Sequence, residues 1–292
     1  MEKPVAVTYG GANARVGEML VNRVVPNRYI EAVGPFVFLD HMYPAPIKKE
    51  EALPDGSFAH PHRGIATFSY VLSGSLEHFD SRGHHGIVSA GGAQWMKAGN
   101  GIIHDERPWS DTEAGEVFHG LQFWINLPAA AKEEEPEYMN LADAAFGQIT
   151  LPDNAGTLKV LIGMCGDHAS PVKTFSPQFL YHYRLNPKSG YTLPTRAGLE
   201  YAAFVPAGPV KINDAMTGNS EIVLFGAAEG SIAMHNQNIT AADVFVFGGA
   251  PYLEPIVAEG PFVMNSHADI AAAYRDFFNG AYGTIQYRTD PS

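Results

Sequence analysis

Disulfide chemistry is excluded at the outset: the 292 residues include one cysteine, Cys165, so no intrachain bridge can form, which is compatible with a reducing compartment. Long hydrophobic runs are missing as well, and nothing approaches the ~18 consecutive apolar residues of a membrane span. The opening Met1-Glu2-Lys3-Pro4-Val5 has no basic region leading into an apolar stretch. A soluble, cytoplasmic protein with no membrane partner is expected. Positive charge is also scarce. Lys and Arg number 19 against 31 Asp and Glu, for a net charge of −12, and they form no cluster. Direct binding to nucleic acid therefore lacks its main electrostatic driving force.

What is present points to β-structure. Apolar residues make up 46% of the chain, enough for a sizeable core, and 30 Gly and 21 Pro are scattered among short apolar runs. That pattern fits many turns joining many strands, an all-β architecture, and the length suggests about two domains. Runs 35–41, 65–72, 92–98 and 117–126 read as strands, and a second series follows at 158–164, 178–185, 199–207, 221–225, 231–235 and 243–247. Between the series, 127–136 is polar, charged and bounded by prolines, which divides the chain into domains 1–132 and 133–292. Near the end, Ser266-His267-Ala268-Asp269 resembles a capping box with Asp in place of Glu. Ile270, Tyr274, Phe277 and Phe278 recur at helical spacing before Gly280, which predicts a short C-terminal helix packed on a sheet.

The chemistry-bearing residues are His60-Pro61-His62-Arg63-Gly64 and Ile103-His104-Asp105-Glu106. Twelve histidines would give about 0.5 His-x-His pairs by chance, so the pair gains meaning only from its setting between a Gly-rich turn and a β-rich run. In a strand, residues i and i+2 share a face. His60 and His62 then point one way, as do His104 and Glu106, and four ligands converge if the segments are neighbours in one barrel. His78, His84 and His85 lie around a Gly-containing turn and are expected at the surface. His168, His182 and His235 have no partner at ligand spacing. His41 and His119 are candidates for orienting a ligating ring.

Several segments together resemble pirin and its bacterial relatives in the cupin superfamily. They are His60 to Gly64, Gln94 to His104, Gly120 to Pro128 and Gly260 to Asn265, with Phe38-Leu39-Asp40-His41 fitting as well. The resemblance implies a bicupin, two facing β-barrel domains, with metal only in the N-terminal one. It implies His60, His62, His104 and Glu106 as ligands of one divalent ion, usually Fe(II), and a quercetin 2,3-dioxygenase activity. Two positions depart from the family pattern. Ala66 stands where many pirins have Glu, which should alter the pocket wall or the groups behind the ligands while leaving the metal bound, and Asp105 stands where a small residue is common.

Three imidazoles and a carboxylate suit Fe(II), Mn, Co, Ni, Cu or Zn, and iron is the first choice. Glu106 is the natural proton acceptor for a flavonol 3-hydroxyl, with O₂ as co-substrate. Gln94, Trp95, Met96, Phe68 and Trp124 are candidates for the pocket wall. The alternative reading is a non-enzymatic iron or redox sensor that acts through a protein partner.

Overall fold

Glycine-punctuated apolar runs become antiparallel strands along most of the chain, and among the described residues one α-helix forms, His267–Phe278. The structure, a computed structural model, describes residues 1–17, 19–49 and 52–288. The runs expected at 65–72, 92–98 and 117–126 are the strands Ile65–Ser73, Ala93–Lys97 and Glu116–Asn126. Every residue from Ile65 to Val71 is buried, as befits a strand covered on both faces.

The chain forms two compact units that interleave in sequence. One contains Arg15–Val21, Met42–Ala144 and Leu253–Ser292, and the other Met1–Ala14, Asn22–His41 and Ala145–Tyr252. The sequence reading instead cuts the chain once, after residue 132. The difference has a physical origin at that point. Rather than a solvated linker, 127–136 holds a 3₁₀ turn, Ala129–Glu133, that buries Ala131 and Lys132. The Lys132 ammonium donates to Asn126 Oδ1 at 2.5 Å, Val263 O at 2.7 Å and Gly64 O at 2.8 Å. It thereby ties the supposed linker and a C-terminal strand to the unit that contains His60.

In that unit one sheet has the order His60–His62, Ile102–Trp109, Ser75–Asp80, His85–Ser89. A second sheet includes Glu137–Leu141, Ala93–Lys97, Ile65–Ser73 and Glu116–Asn126 as consecutive neighbours. The C-terminal segment adds a two-stranded ribbon, Val257–Glu259 with Phe262–Met264, and the helix. Ser266 caps the helix by accepting from the Asp269 N–H at 3.2 Å. Ile270 and Ala273 pack with Phe262, Met264 and Tyr282, and Tyr274 and Phe277 cover them. Phe278, expected on this face, is 78% exposed. At about 100° per residue it sits roughly 80° round from Ile270, on the side away from Ala273.

Two close approaches require glycine. Gly64 has φ +82°, and a Cβ there would lie 2.0 Å from Val263 O. Gly101 has φ +129°, and a Cβ would lie 2.1 Å from the Tyr282 ring. Both glycines seat the C-terminal segment against the strands that carry the histidines.

The other unit repeats the double-sheet plan. Seven strands run in the order Val5–Tyr9, Glu221–Phe225, Glu200–Val205, Ala242–Gly249, Gln178–Leu185, Gly156–Ile162, Gln148–Thr150. Four more run Gly190–Pro194, Ser231–His235, Val210–Ile212, Ala215–Thr217. Val160, Tyr183, Val205, Val223, Ile232 and Val244 are all fully buried between them. No helix among the described residues is long and apolar enough to cross a membrane.

Candidate metal centre

The strand His60–His62 pairs antiparallel with Ile102–Trp109, setting His62 opposite Ile102 and His60 opposite His104. Directly opposed residues point to the same face, so His60, His62, His104 and Glu106 share one side of the sheet. The His60 Nδ1–H donates to Phe58 O at 2.8 Å, and the His62 Nδ1–H donates to Pro261 O at 2.9 Å. A carbonyl can only accept, so in each ring the lone pair resides on Nε2. The Nε2 of His62 is buried and makes no hydrogen bond. The Nε2 atoms of His60 and His104 are 3.0 Å apart. Two imidazole nitrogens at right angles on one ion, each bonded at about 2.1 Å, would be separated by about 3 Å. The donor chemistry and the orphaned nitrogen both fit a divalent cation.

Glu106 is held from the neighbouring sheet. Ser69 Oγ donates to its Oε1 at 3.1 Å and Gln122 Nε2 to its Oε2 at 2.7 Å. Its nearest imidazole nitrogens are His78 Nδ1 at 3.8 Å and His104 Nδ1 at 4.0 Å. The donors therefore form two overlapping groups, His60, His62, His104 and His78, His104, Glu106, each with ligand atoms within 4.8 Å of one another. His104 is common to both. Burial, together with the neighbouring His60, pushes the His62 imidazolium down to about 3. Burial and the surrounding His60, His62 and His78 hold His104 well below the ordinary range. Both rings are thus neutral near pH 7, the form in which imidazole binds metal.

His78, expected in a surface turn, is fully buried in the strand Ser75–Asp80. It lies directly opposite Glu106. The turn proper begins three residues later, at Ser81-Arg82-Gly83, and that offset was the available signal in the sequence. His84 Nδ1–H bonds Asp80 Oδ2 at 2.8 Å, and His85 Nε2–H bonds Glu77 Oε1 at 3.0 Å. Burial works against a charge on His78, but Asp80 and Glu106 turn its shift upward. His41 belongs to the other unit, where its Nδ1 meets Ser220 Oγ at 2.7 Å. His182 is likewise there, 2.9 Å from Asp243 Oδ1, while His168 and His235 are exposed. Among the described residues, both donor groups lie in the unit of His60. Asp105, on the opposite face from Glu106, is buried and accepts from the Tyr287 hydroxyl at 2.8 Å.

Strand register sorts the wall residues. Ser69 opposes both Gln94 and Gln122, and Thr67 opposes both Met96 and Trp124. Gln94, Met96 and Trp124 thus share the face of Ser69 and Gln122, and the Trp124 ring meets His62 edge-on at 4.9 Å. Phe68 opposes Trp95 and Phe123, placing both expected wall residues on the reverse face. Ala66 is on that reverse face too, opposite Lys97 and Ile125. The departure from the family pattern at this position therefore leaves the wall that carries Glu106's partners unchanged.

Two cupin-type β-barrel units, one of them bearing a histidine-rich donor cluster, define a bicupin. The chain belongs to the pirin family: the Pirin model matches residues 18–125, and the model of the Pirin C-terminal cupin domain matches residues 180–283. A Pseudomonas aeruginosa protein provisionally named quercetin 2,3-dioxygenase is 33% identical over 284 residues, covering 96% of this chain and 98% of that protein. Human pirin is 32% identical over 274 residues, covering 92% and 90% respectively. The crystal structure of quercetin 2,3-dioxygenase from Acinetobacter baumannii superposes with a TM-score of 0.89 at 28% identity, covering 98% of this chain and 100% of that one.

Proposed function

We propose that this pirin is a metal-dependent oxygenase of the quercetin 2,3-dioxygenase type, acting with O₂ on a flavonol or a related enol. The observation that carries this is the placing of three imidazoles and Glu106 on one face of a sheet, with the carboxylate already oriented by Ser69 and Gln122. On this reading His60, His62, His104 and Glu106 hold one divalent ion, with Fe(II) the first candidate. When bound, the ion supplies a Lewis acid for the 3-hydroxyl and 4-carbonyl oxygens of the substrate.

The chain's own part is positioning and proton handling. Glu106 accepts the 3-hydroxyl proton, and the Gln122 amide and Ser69 hydroxyl keep its second lone pairs occupied and its plane fixed. Trp124, on the same face and half-buried, offers apolar surface to a flat aromatic substrate and keeps water from it. The overall reaction takes up one O₂, opens the heterocycle and releases one carbon monoxide. Similarity to the Acinetobacter quercetin 2,3-dioxygenase, and to the Pseudomonas protein provisionally given that name, supports the substrate class.

The test is anaerobic loading with Fe(II), then addition of quercetin and O₂. Bleaching of the flavonol absorbance with release of carbon monoxide is the expected result. Failure of fully loaded protein to turn over any flavonol would remove the proposal.

A further inference from the structure

We propose that His78, Glu106 and His104 form a second station for a divalent cation, beside the one made by His60, His62 and His104 and completed by Glu106, so that His104 and Glu106 are common to both. The inference deepens the metal reading above and rests on it. His78 and Glu106 are directly opposed on paired strands, and His78 is fully buried. The His78 Nε2–H bonds Asp80 Oδ2 at 3.1 Å, while its Nδ1 makes no hydrogen bond and faces Glu106 Oε1 at 3.8 Å, beyond hydrogen-bond reach. His62 shows the same pattern, with one nitrogen anchored to an acceptor and the other bare and turned toward further donors. A carboxylate behind an imidazole fixes the ring and raises its basicity, an arrangement common behind metal-ligating histidines. Tyr138 stacks on the His78 ring at 4.4 Å and 14°, which holds its plane.

His104 supplies the link. Its Nε2 faces His60 at 3.0 Å, and its Nδ1, buried and without a hydrogen bond, faces Glu106 Oε2 at 4.0 Å. Each station thus receives a different nitrogen of one ring. A neutral imidazole has a single lone pair, so His104 serves one station at a time. The two are alternative seats for one ion. Separations of 3.8 and 4.0 Å close on an ion bonded at about 2.1 Å with a small inward movement of the side chains. Two imidazoles and a carboxylate accept the same range of first-row divalent metals as the first station.

The test is titration with Co(II), followed by calorimetry and by visible absorption. The His60→Ala/His62→Ala chain should still bind one Co(II), more weakly than the wild type by about 100-fold or more, and adding His78→Ala should remove that residual binding. A double variant that binds none while the wild type binds one would overturn the proposal, as would residual binding that survives loss of His78. Should the double variant fail to fold by near-ultraviolet circular dichroism, His78→Gln in the otherwise native chain decides. Pulsed EPR of its Cu(II) form should lose one of two imidazole-coupling patterns present in the wild type, and identical spectra would overturn the proposal. Flavonol turnover is independent of these readouts. Its absence alongside the expected binding results would remove the oxygenase reading and leave the second station standing.

Discussion

The His62 Nδ1–H donates to the main-chain oxygen of Pro261 across 2.9 Å, joining residues 199 apart in the chain. A C-terminal carbonyl therefore sets which nitrogen of a candidate ligand carries the lone pair. That carbonyl is itself held in place. Val263 N–H donates to Arg63 O at 3.2 Å, Arg63 pairs with Asp276 of the helix at 2.8 Å, and Lys132 bonds Val263 O.

Gly64→Ala should disturb this docking at its tightest point. The residue must keep φ near +82° with a methyl group 2.0 Å from Val263 O, and both atoms are fixed by backbone. A loss of about 2–4 kcal/mol in stability is expected, combining left-handed strain with a displaced strand. Metal affinity should fall with it, because Pro261 O moves with Val263. Urea denaturation and Co(II) titration measure the two effects, and unchanged affinity in a folded variant would show that the carbonyl does not orient His62.

His62→Ala should separate metal binding from folding. The barrel is held by an apolar core that includes the fully buried Ile65, Phe68, Val71, Leu121 and Phe123, none of which depends on an ion. Apparent affinity for Co(II) should drop by about 100-fold or more, while the melting temperature of the metal-free protein changes little. Chelation of the wild type should cost only the binding term, about 2.7 kcal/mol at 100 times the dissociation constant. Unfolding of the metal-free chain would show the ion to be structural.

Much of this was legible in the sequence because strand alternation carries it directly. His60, His62, His104 and Glu106 share a face for the reason their spacing suggested, and the capped helix begins at the expected Ser266. What escaped was long-range. Lys132 reads as linker because a lysine beside three glutamates signals solvent, yet its acceptors come from residues 64, 126 and 263. His78 reads as turn because the histidines after Gly83 drew it into their company. Its partner Glu106 lies across a strand pairing that no local pattern announces.

Lys132→Met tests the buried ammonium. Removing it strands three buried acceptors, which should destabilise the chain by about 3 kcal/mol at pH 7. Burial pulls the ammonium down to about 7, partly opposed by Glu254 and Asp269. The unfolded chain keeps a lysine near 10.5, so between these values the folded state binds fewer protons. Stability from this group rises with pH across that window, and below about 7 both states are protonated and the full cost of burial applies. The three acceptors work against the shift, so the slope contributed by Lys132 should be positive and below about 1.4 kcal/mol per pH unit. Urea denaturation from pH 7 to 9.5 should give a steeper rise for the wild type than for Lys132→Met. Equal slopes would mean that the ammonium persists throughout.

Gln122→Leu should expose how far catalysis depends on the orientation of Glu106. The amide provides the shortest hydrogen bond to the carboxylate, 2.7 Å against 3.1 and 3.4 Å from Ser69, and leucine fills a similar volume without a donor. The strand pairing of Gln122 with Ser69 is made by backbone, so the fold should persist. A carboxylate freed on one side can rotate away from the substrate oxygen, and loss of such a partner typically costs 10- to 100-fold. The loss should appear in kcat for flavonol oxidation, with KM nearly unchanged because Trp124 remains on the wall. Gln122→Glu should be worse than Gln122→Leu, since a second carboxylate within reach of Glu106 adds repulsion to the missing bond. If both variants turn over at the wild-type rate, Glu106 is not the group that takes the substrate's proton.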